Sequence, residues 1–323
     1  MAAAAAVVTL SMEYRRFTET PLIPDGGTTQ RIEVAHGSTF RHVAAELAGR
    51  GLISRAAFFQ FMARWQGEAE HIKAGEYSID PGMTPQALLN RMVRGDVVQY
   101  SLTIVEGWTF AELMTAVNGQ EALRHTLKGK SDAEIMAAIG YPNQHPEGRF
   151  FPDTYHFPRG FSDADLLRKA HKLMDERLEA VWQSREKGLP LDSAYQALIL
   201  ASIIEKETAV PDERERIAGV FVRRLRRGMR LQTDPTVIYG LGDSFDGNLR
   251  RSDLRRDNPY NTYTRAGLPP TPIAMPGEGS LQASVHPAHG DALYFVAKGD
   301  GSHHFSASLE EHNRAVRKFQ LGH

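Results

Sequence analysis

Apolar positions in the first third of the chain recur at helical and strand spacings over short stretches. Residues 40–47 carry apolar side chains at helical spacing and predict a helix that ends near Gly49. A second helix is predicted from Ser54 to about Trp65. Further segments predict a strand in RIEVAHGST, a strand in GEYSID, a capped helix in TPQALLNRMVRG and a strand in VVQYSLTIVEG. Residues 30–105 are therefore predicted to form a small α+β unit with its own core.

The rest of the chain is predicted to contain longer helices separated by irregular segments. Helices are expected at about 162–186, 192–209 and 212–227. Residues 141–160 hold four prolines, two glycines and five aromatic residues, which is typical of an ordered loop. Residues 230–300 are rich in Pro, Gly, Asn and Thr and predict long loops, except for two short strands in ALYFVAKGDGSHHFS. The predicted fold class is α+β, with the small unit followed by a larger, mixed and helix-rich domain with short strands.

The N-terminal residues form an apolar segment that is too short to span a bilayer. MAAAAAVVTLSM is apolar, but a membrane-spanning helix needs about 20 residues. Residues 1–16 fit either the last turns of a transmembrane helix or a disordered Ala-rich tail. Residues 17–29 are rich in Thr, Pro and Gly and are predicted to be a linker.

Composition and charge exclude several classes of function. The formal net charge is −1 and there is no long basic block, so we expect no nucleic-acid partner. The chain has no cysteine, which excludes disulfides, thiolate metal sites and a Cys nucleophile. The histidine pairs lack the helical spacing of a zinc site, and no phosphate-binding or dinucleotide motif is present. We expect neither a metal nor a cofactor.

Glu205 follows an almost uninterrupted apolar run, LILASII. On a helix it continues the stripe of Ala194, Leu198 and Ala201, whereas Lys206 and Glu207 are expected to point away from that stripe. Burial and the negative end of the helix dipole both favour a protonated carboxyl, as a general acid requires. The alternative is a helix-end glutamate in a salt bridge with Lys206 or with an arginine of residues 214–227.

Other polar residues with aromatic neighbours are candidates for a carbohydrate groove, because sugar C–H faces stack on aromatic rings while the hydroxyls need directional partners. The alternative is ordinary turn chemistry around Asp-Pro and Asn-Pro. The candidates are Glu147, Asp153, Gln232, Thr233, Asp234, Thr236, Tyr260, Asn261 and Tyr263.

Several long motifs in register resemble the YceG-like family, the membrane-bound endolytic murein transglycosylases. The resemblance covers about residues 100–320. It is carried, in order, by EGRFFPDTYHF, LASIIEKETAV, RLRRGMRLQTDPTVIYGLG, YNTYTRAGLPPTPIAMPG and LYFVAKGDGSHHFS. It implies a LysM-like domain over residues 30–105 and a YceG-like catalytic domain over 106–323.

The resemblance also implies roles for individual residues. The catalytic glutamate falls on Glu205, and sugar binding or support of Glu205 falls on Gln232, Asp234, Thr236, Asn261 and Tyr263. Glu147 is the reserve candidate for a second acid near the substrate.

The implied reaction cleaves the β-1,4 bond between N-acetylmuramic acid and N-acetylglucosamine and leaves a 1,6-anhydro end. Glu205 would act first as general acid and then as general base toward the C6 hydroxyl of the sugar, so no second carboxylate is needed. Two alternatives remain, namely a muramidase-type hydrolase of the same bond and a peptidoglycan-binding scaffold protein.

The resemblance further implies a location and partners. It favours reading residues 1–16 as the remnant of a single membrane anchor in the bacterial inner membrane, with the catalytic domain in the periplasm. The expected partners are peptidoglycan glycan strands, the membrane and peptidoglycan synthases.

Overall fold

The structure, a computed structural model, describes residues 2–321 and the side chains of residues 7–321. Met1 and residues 322–323, which the predicted domain ranges include, lie outside the described residues.

The chain divides into two compact units. The first unit comprises residues 1–101, 122–124 and 156–161, and the second comprises residues 102–121, 125–155 and 162–323. The LysM-like identity of residues 30–105 stays a prediction.

The first unit combines short helices with a two-stranded sheet. Its elements are α1 (Ala2–Glu19), β1 (Gln30–Val34), α2 (Phe40–Gly49), α3 (Ala56–Trp65), β2 (Gly75–Ile79) and α4 (Pro85–Arg94). Strands β1 and β2 pair antiparallel, with Gln30 opposite Ile79. The side chains of Thr39 and Thr84 accept hydrogen bonds from backbone N–H groups in the first turns of α2 and α4, which fixes where these helices begin. The elements predicted for this region are confirmed.

Three residues of the segment 17–29 belong to the core of the first unit. Phe17, Leu22 and Ile23 are buried among the apolar side chains of α2, α3, α4 and both strands. Residues 17–23 are therefore held against the first unit, because burying these three side chains stabilises it by more than their ordering costs. Residues 24–29 are exposed, and the linker stays a prediction for them.

Helix α1 continues past the predicted boundary at residue 16. Its residues Val7, Val8, Leu10 and Met12 are exposed, whereas Phe17 packs on Phe58 with ring centroids 5.8 Å apart. Within the part of the chain that the structure describes, no helix is both long enough and apolar enough to cross a membrane.

The remaining elements lie mostly in the second unit. They are β3 (Gln99–Thr103), α5 (Phe110–Gly119), α6 (Asp132–Ala138), β4 (Thr154–Pro158), α7 (Asp163–Gln183), α8 (Ala194–Glu207), α9 (Arg214–Arg226), α10 (Asp234–Leu241), α11 (Arg251–Arg255), α12 (Glu278–Val285), β5 (Tyr294–Ala297), β6 (His303–Ser306) and α13 (Leu309–Gln320). Strand β3 pairs with β4, and β5 pairs antiparallel with β6. The α+β fold class is confirmed.

The three long helices α7, α8 and α9 and the strands β5 and β6 confirm the predictions, whereas some predicted loops are wrong. Residues 154–158 form β4 because β3 supplies its hydrogen-bonding partner. Residues 234–241 form α10 because Pro235 occupies the first turn, where its missing N–H costs nothing. The Gly- and Ser-rich α12 is helical because most of its residues are buried against other helices.

Helix α8 lies at the centre of the second unit and is surrounded by α7, α9, α10 and α12. Every residue from Ala197 to Ile204 is buried. Leu198 and Ala201 of the predicted stripe are buried, and so are the other faces of the helix over these residues. What distinguishes Glu205 is its place at the end of the enclosed stretch.

Candidate active site

Glu205 lies in the last turn of α8, with only 7% of its side chain exposed. Its Oε2 accepts a hydrogen bond from the backbone N–H of Gly277 at 3.0 Å. Its Oε1 lies 3.7 Å from Nη2 of Arg214, the first residue of α9. Both partners attract negative charge, so the carboxylate that would form on proton loss has a prepared environment. The buried position and the arginine partner were both anticipated, as competing interpretations, from the sequence.

A second carboxylate, that of Glu106, lies at the same arginine. Its Oε2 is 3.7 Å from Nη2 of Arg214. Burial, and next the charge of Glu205, raise the pKa of Glu106, while Arg214 opposes the shift. Sequence reasoning missed Glu106. The only local indication of a role for Glu106 was its position between a predicted strand and the helix that begins in EGWTF.

Backbone hydrogen bonds hold the segment after Glu106 in place. The N–H of Gly107 donates to the carbonyl of Met275 at 2.8 Å, and the N–H of Met275 donates to the carbonyl of Trp108 at 2.7 Å. Lys206 Nζ donates to the carbonyl of Gly107 at 3.2 Å. These bonds fix the two residues that follow Glu106 against the segment that leads into α12.

Glu147 is a further buried carboxyl of the second unit, and it is 3% exposed. It accepts hydrogen bonds from the backbone N–H of Phe110 at 3.1 Å and from the hydroxyl of Tyr239 at 3.0 Å. Burial raises the pKa of Glu147 to about 7 even though these hydrogen bonds favour the charged form. Near neutral pH this group is therefore divided between its two protonation states.

Glu147 and Lys206 share the wall of a cleft of about 770 Å³. The wall combines aromatic and aliphatic side chains with acidic and basic ones, as a site for a polar ring-shaped ligand requires. It is lined by Thr109, Phe110, Ala111, Glu112, Met114, Asp132, His145, Pro146, Glu147, Lys206, Pro235, Ile238, Tyr239, Gly242, Asp243, Phe245, Tyr260 and Ile273. Glu205 is the neighbour of Lys206 in the chain, but it is not part of this lining.

The predicted residues Gln232, Asp234 and Tyr263 lie close together, with Asp234 at the start of α10, Gln232 just before it and Tyr263 on the loop that faces them. The hydroxyl of Tyr263 donates to Oδ1 of Asp234 at 2.5 Å, and burial and this carboxylate together raise the pKa of Tyr263. Gln232 is exposed and has a backbone φ of +52°, an unfavourable value for a residue with a side chain. Asp234 is exposed as well, so both side chains are accessible to a ligand.

Thr236 and Asn261, also predicted as substrate-binding residues, are fully buried. The hydroxyl of Thr236 bonds within α10 to the carbonyl of Thr233 at 2.8 Å. Nδ2 of Asn261 donates to the carbonyls of Asp253, Leu254 and Arg256 at 3.1, 3.3 and 2.7 Å. Their visible interactions are with the protein itself, and they shape the loop that carries Tyr263.

Glu207, which was expected to point away from the stripe of Glu205, contacts a different segment from Glu205. Its Oε1 accepts a hydrogen bond from the hydroxyl of Thr233, and burial raises the pKa of Glu207 to about 7. A helical projection alone could not show that the segment before α10 covers this side of α8. The bond ties the end of α8 to the segment that contains Gln232 and Asp234.

Comparison with known proteins defines the family. The model of the YceG-like family matches residues 32–318, and the chain belongs to that family. The endolytic murein transglycosylase of Bacillus subtilis (strain 168) is 32% identical over 317 residues, which cover 93% of this chain and 87% of the relative.

Two further comparisons agree with this assignment. The endolytic murein transglycosylase of Streptococcus pneumoniae serotype 2 is 28% identical, and the match covers 88% of this chain but 57% of that longer protein. The crystal structure of a YceG-like protein from Listeria monocytogenes has a TM-score of 0.57 and 31% identity, covering 89% of this chain and 99% of that one. The architecture and the sequence therefore place the chain in the same family.

Proposed function

We propose that this chain is an endolytic murein transglycosylase, a lytic transglycosylase that cuts peptidoglycan glycan strands. Relatives that carry this name match about nine-tenths of the chain. The observation on which the proposal depends most is the carboxyl of Glu205, which is almost enclosed at the end of α8 and has a backbone N–H and a guanidinium against it.

In the proposed reaction, Glu205 donates its proton to the oxygen of the β-1,4 bond between N-acetylmuramic acid and N-acetylglucosamine. The bond from C1 to that oxygen breaks, and the N-acetylglucosamine side leaves with a new hydroxyl. The C6 hydroxyl oxygen attacks C1 and closes the 1,6-anhydro ring, and the Glu205 carboxylate takes the hydroxyl proton. Glu205 is thereby returned to its starting state, and no water is consumed.

The environment of Glu205 suits both halves of this cycle. While the carboxylate is ionised, the N–H of Gly277 and the guanidinium of Arg214 offset its charge. Because both donors are held at the beginnings of helices α12 and α9, they need no rearrangement as the charge forms.

We assign the sugar contacts to the exposed Gln232 and Asp234 and to the half-buried Tyr263, whose hydroxyl bonds to Asp234. Thr236 and Asn261 support the loops that carry these contacts, since both are buried and bonded within the protein. Glu147 lies in the wall of the cleft as a group that binds the glycan strand.

A specific observation favours a second candidate, hydrolysis of the same bond. Glycosidases that use water need a second carboxylate near the acid. Glu106 and Glu205 each lie 3.7 Å from the same Nη2 of Arg214, so a second carboxylate is close. The mass of the product separates the two reactions, because hydrolysis adds one water and anhydro formation does not.

We further propose that the protein acts at the bacterial inner membrane with its catalytic part in the periplasm, since the proposed substrate lies outside that membrane. The exposed apolar side chains of α1 from Val7 to Met12 support contact with lipid. Peptidoglycan synthases, which make the strands that this enzyme would cut, are the proposed protein partners.

The test is digestion of purified sacculi and of defined glycan strands, with the products identified by mass spectrometry. Wild-type protein should produce internal cuts with anhydro ends, and Glu205→Gln should produce no cuts while keeping its circular dichroism spectrum. The matched control is Glu121→Gln, which removes an exposed carboxylate. Cutting by Glu205→Gln would show that another residue is the acid. Reducing ends in the products would establish hydrolysis. Binding of glycan strands without cuts by the wild type would favour a scaffold protein.

A further inference from the structure

Glu106, Glu205 and Arg214 form a cluster of two carboxylates and one guanidinium. The same nitrogen, Nη2 of Arg214, lies 3.7 Å from an oxygen of each carboxylate. Only 7% of the Glu205 side chain and 16% of the Arg214 side chain are exposed, whereas 49% of the Glu106 side chain is exposed. The guanidinium of Arg214 is therefore shared by two carboxylates, the buried one of Glu205 and the half-exposed one of Glu106.

Two glycines make room for this cluster. A Cβ on Gly277 would lie 1.8 Å from Oε1 of Glu106, and a Cβ on Gly279 would lie 2.4 Å from Nη1 of Arg214. Gly277 has a φ of −79°, which any residue adopts, so its backbone conformation does not require glycine. Glycine is required at this position because any side chain there would collide with the Glu106 carboxylate.

We propose that Glu106 is a positioning residue that shares Arg214 with Glu205 and thereby keeps Glu205 able to hold its proton until the sugar binds. This inference rests on the proposed function of Glu205 as the acid. It assigns to Glu106 an electrostatic role rather than that of a nucleophile or a water-activating base.

The charge of Glu106 changes how strongly Arg214 stabilises the Glu205 carboxylate. Arg214 paired with Glu205 alone would stabilise the ionised carboxylate and discourage it from acting as an acid. A second negative charge at the same guanidinium weakens that effect and repels the charge that forms when Glu205 loses its proton. Because Glu106 is half exposed, it can remain ionised at a lower desolvation cost than Glu205.

The other charged groups near Glu205 are engaged elsewhere. Lys206, on the same helix, bonds to the carbonyl of Gly107. Glu278 on α12 lies 4.0 Å from Arg177 of α7, and Glu213, which precedes Arg214, pairs with His303 at 2.7 Å.

On the remaining sides of α8, acidic groups also have partners or lie apart. Asp175 of α7 lies 3.8 Å from Arg149, and Asp234 of α10 accepts a hydrogen bond from Tyr263. Glu106 and Arg214 are the charged side chains recorded in direct electrostatic contact with Glu205 within the described residues.

The test is the pH dependence of the initial rate on defined glycan strands for wild type and Glu106→Gln. The alkaline limb of the pH–rate profile should move down by about one pH unit in Glu106→Gln, because Arg214 would then serve the Glu205 carboxylate alone. The rate above the limb should then be about tenfold lower, whereas the rate well below it should approach that of the wild type. Glu215→Gln, which removes an exposed carboxylate next to Arg214 in the chain, is the matched control and should leave the limb in place.

The pH dependence of the rate for Arg214→Gln provides a second test, in which the alkaline limb should move in the opposite direction. Loss of the guanidinium should move the alkaline limb to higher pH, because Glu205 then loses the partner that stabilises its charge. Glu147→Gln should retain the limb, which excludes the titration of Glu147 as its source. Damage to the fold alone would lower the rate at all pH values and would leave the alkaline limb in place in either variant.

The proposal is overturned if Glu106→Gln keeps the wild-type limb, if it is folded but inactive at every pH, or if both variants shift the limb in the same direction. Failure of the proposed function looks different, since the wild type would then produce no anhydro ends or Glu205→Gln would remain active. Reducing ends from the wild type, lost in Glu106→Gln, would instead make Glu106 the base of a hydrolase.

Discussion

The hydroxyl of Tyr239 on α10 donates a hydrogen bond to Oε2 of Glu147 at 3.0 Å in the wall of the cleft. This bond joins two motifs that lie far apart in the chain, PEGRFFPDTY and DPTVIYG. A buried carboxyl that ionises near neutral pH is thus supported by a phenol whose own pKa is raised, first by burial and next by the charge of Glu147.

Tyr239→Phe should lower the free energy of unfolding by about 1 kcal/mol, because it removes one hydrogen bond to a buried acceptor and keeps the ring. The measurement is urea denaturation at neutral pH. Tyr141→Phe, which removes a hydroxyl outside this network, is the control and should change stability less. Equal losses in the two variants would contradict the role assigned to the Tyr239 bond.

Glu147→Gln should change how stability depends on pH. The folded carboxyl keeps its proton to about pH 7, whereas the unfolded one releases it near the ordinary value of 4.5. The folded state therefore binds the proton more tightly, and the carboxyl lowers stability progressively as pH rises from 4.5 to about 7, by at most about 3 kcal/mol.

Because glutamine does not ionise, Glu147→Gln should gain stability relative to the wild type between pH 5 and pH 8, as measured by urea denaturation at both pH values. Glu207→Gln is the comparison variant and should behave in the same direction, since burial also raises the pKa of Glu207 to about 7. Parallel pH curves for wild type and Glu147→Gln would show that Glu147 titrates normally.

Asn261→Ala should destabilise the protein by about 2 kcal/mol or more, because it strands three carbonyls that Nδ2 now satisfies. Thermal unfolding measures the effect. Asn118→Ala, at an exposed position of α5, is the matched control and should be nearly neutral. An Asn261→Ala protein with unchanged melting temperature and weaker glycan binding would return Asn261 to the sugar site.

Gln232→Gly should separate binding from stability at the predicted sugar contact. Glycine adopts the φ of +52° without strain, so stability should be retained or rise by about 1 kcal/mol. The side chain is lost, so the rate on glycan strands should fall. A Gln232→Gly protein with the full wild-type rate would remove Gln232 from the site.

Gly277→Ala should impair activity, because the new Cβ would collide with Oε1 of Glu106 and displace that carboxylate from Arg214. The rate on glycan strands and the melting temperature are measured together. Gly49→Ala is the control, since a Cβ there meets no atom within 4 Å and alanine should stabilise the end of α2 by up to about 1 kcal/mol. Full activity in Gly277→Ala would mean that the position of Glu106 is not important.

Local sequence patterns were enough to predict many of the secondary-structure elements of this protein. Apolar spacing and helix-start signals were enough for α2 and α4, and short segments of strand-forming residues were enough for β1 and β2. Glu205 was accessible to the same reasoning, since a carboxyl that ends a long apolar run needs a physical explanation. The family also follows from motifs in linear order.

The tertiary structure decided what those patterns could not express. Helix α12 contains Gly and Ser and is helical because α8 and its neighbours bury it. The turn-forming residues around it led to the prediction of a loop instead. Glu106 reaches Arg214 and Glu205 only because backbone bonds between Gly107 and Met275 bring two distant segments together. Periodicity reports how one element divides its own surface, whereas a cluster of charges depends on contacts between elements far apart in sequence, and these arise only when the whole unit packs.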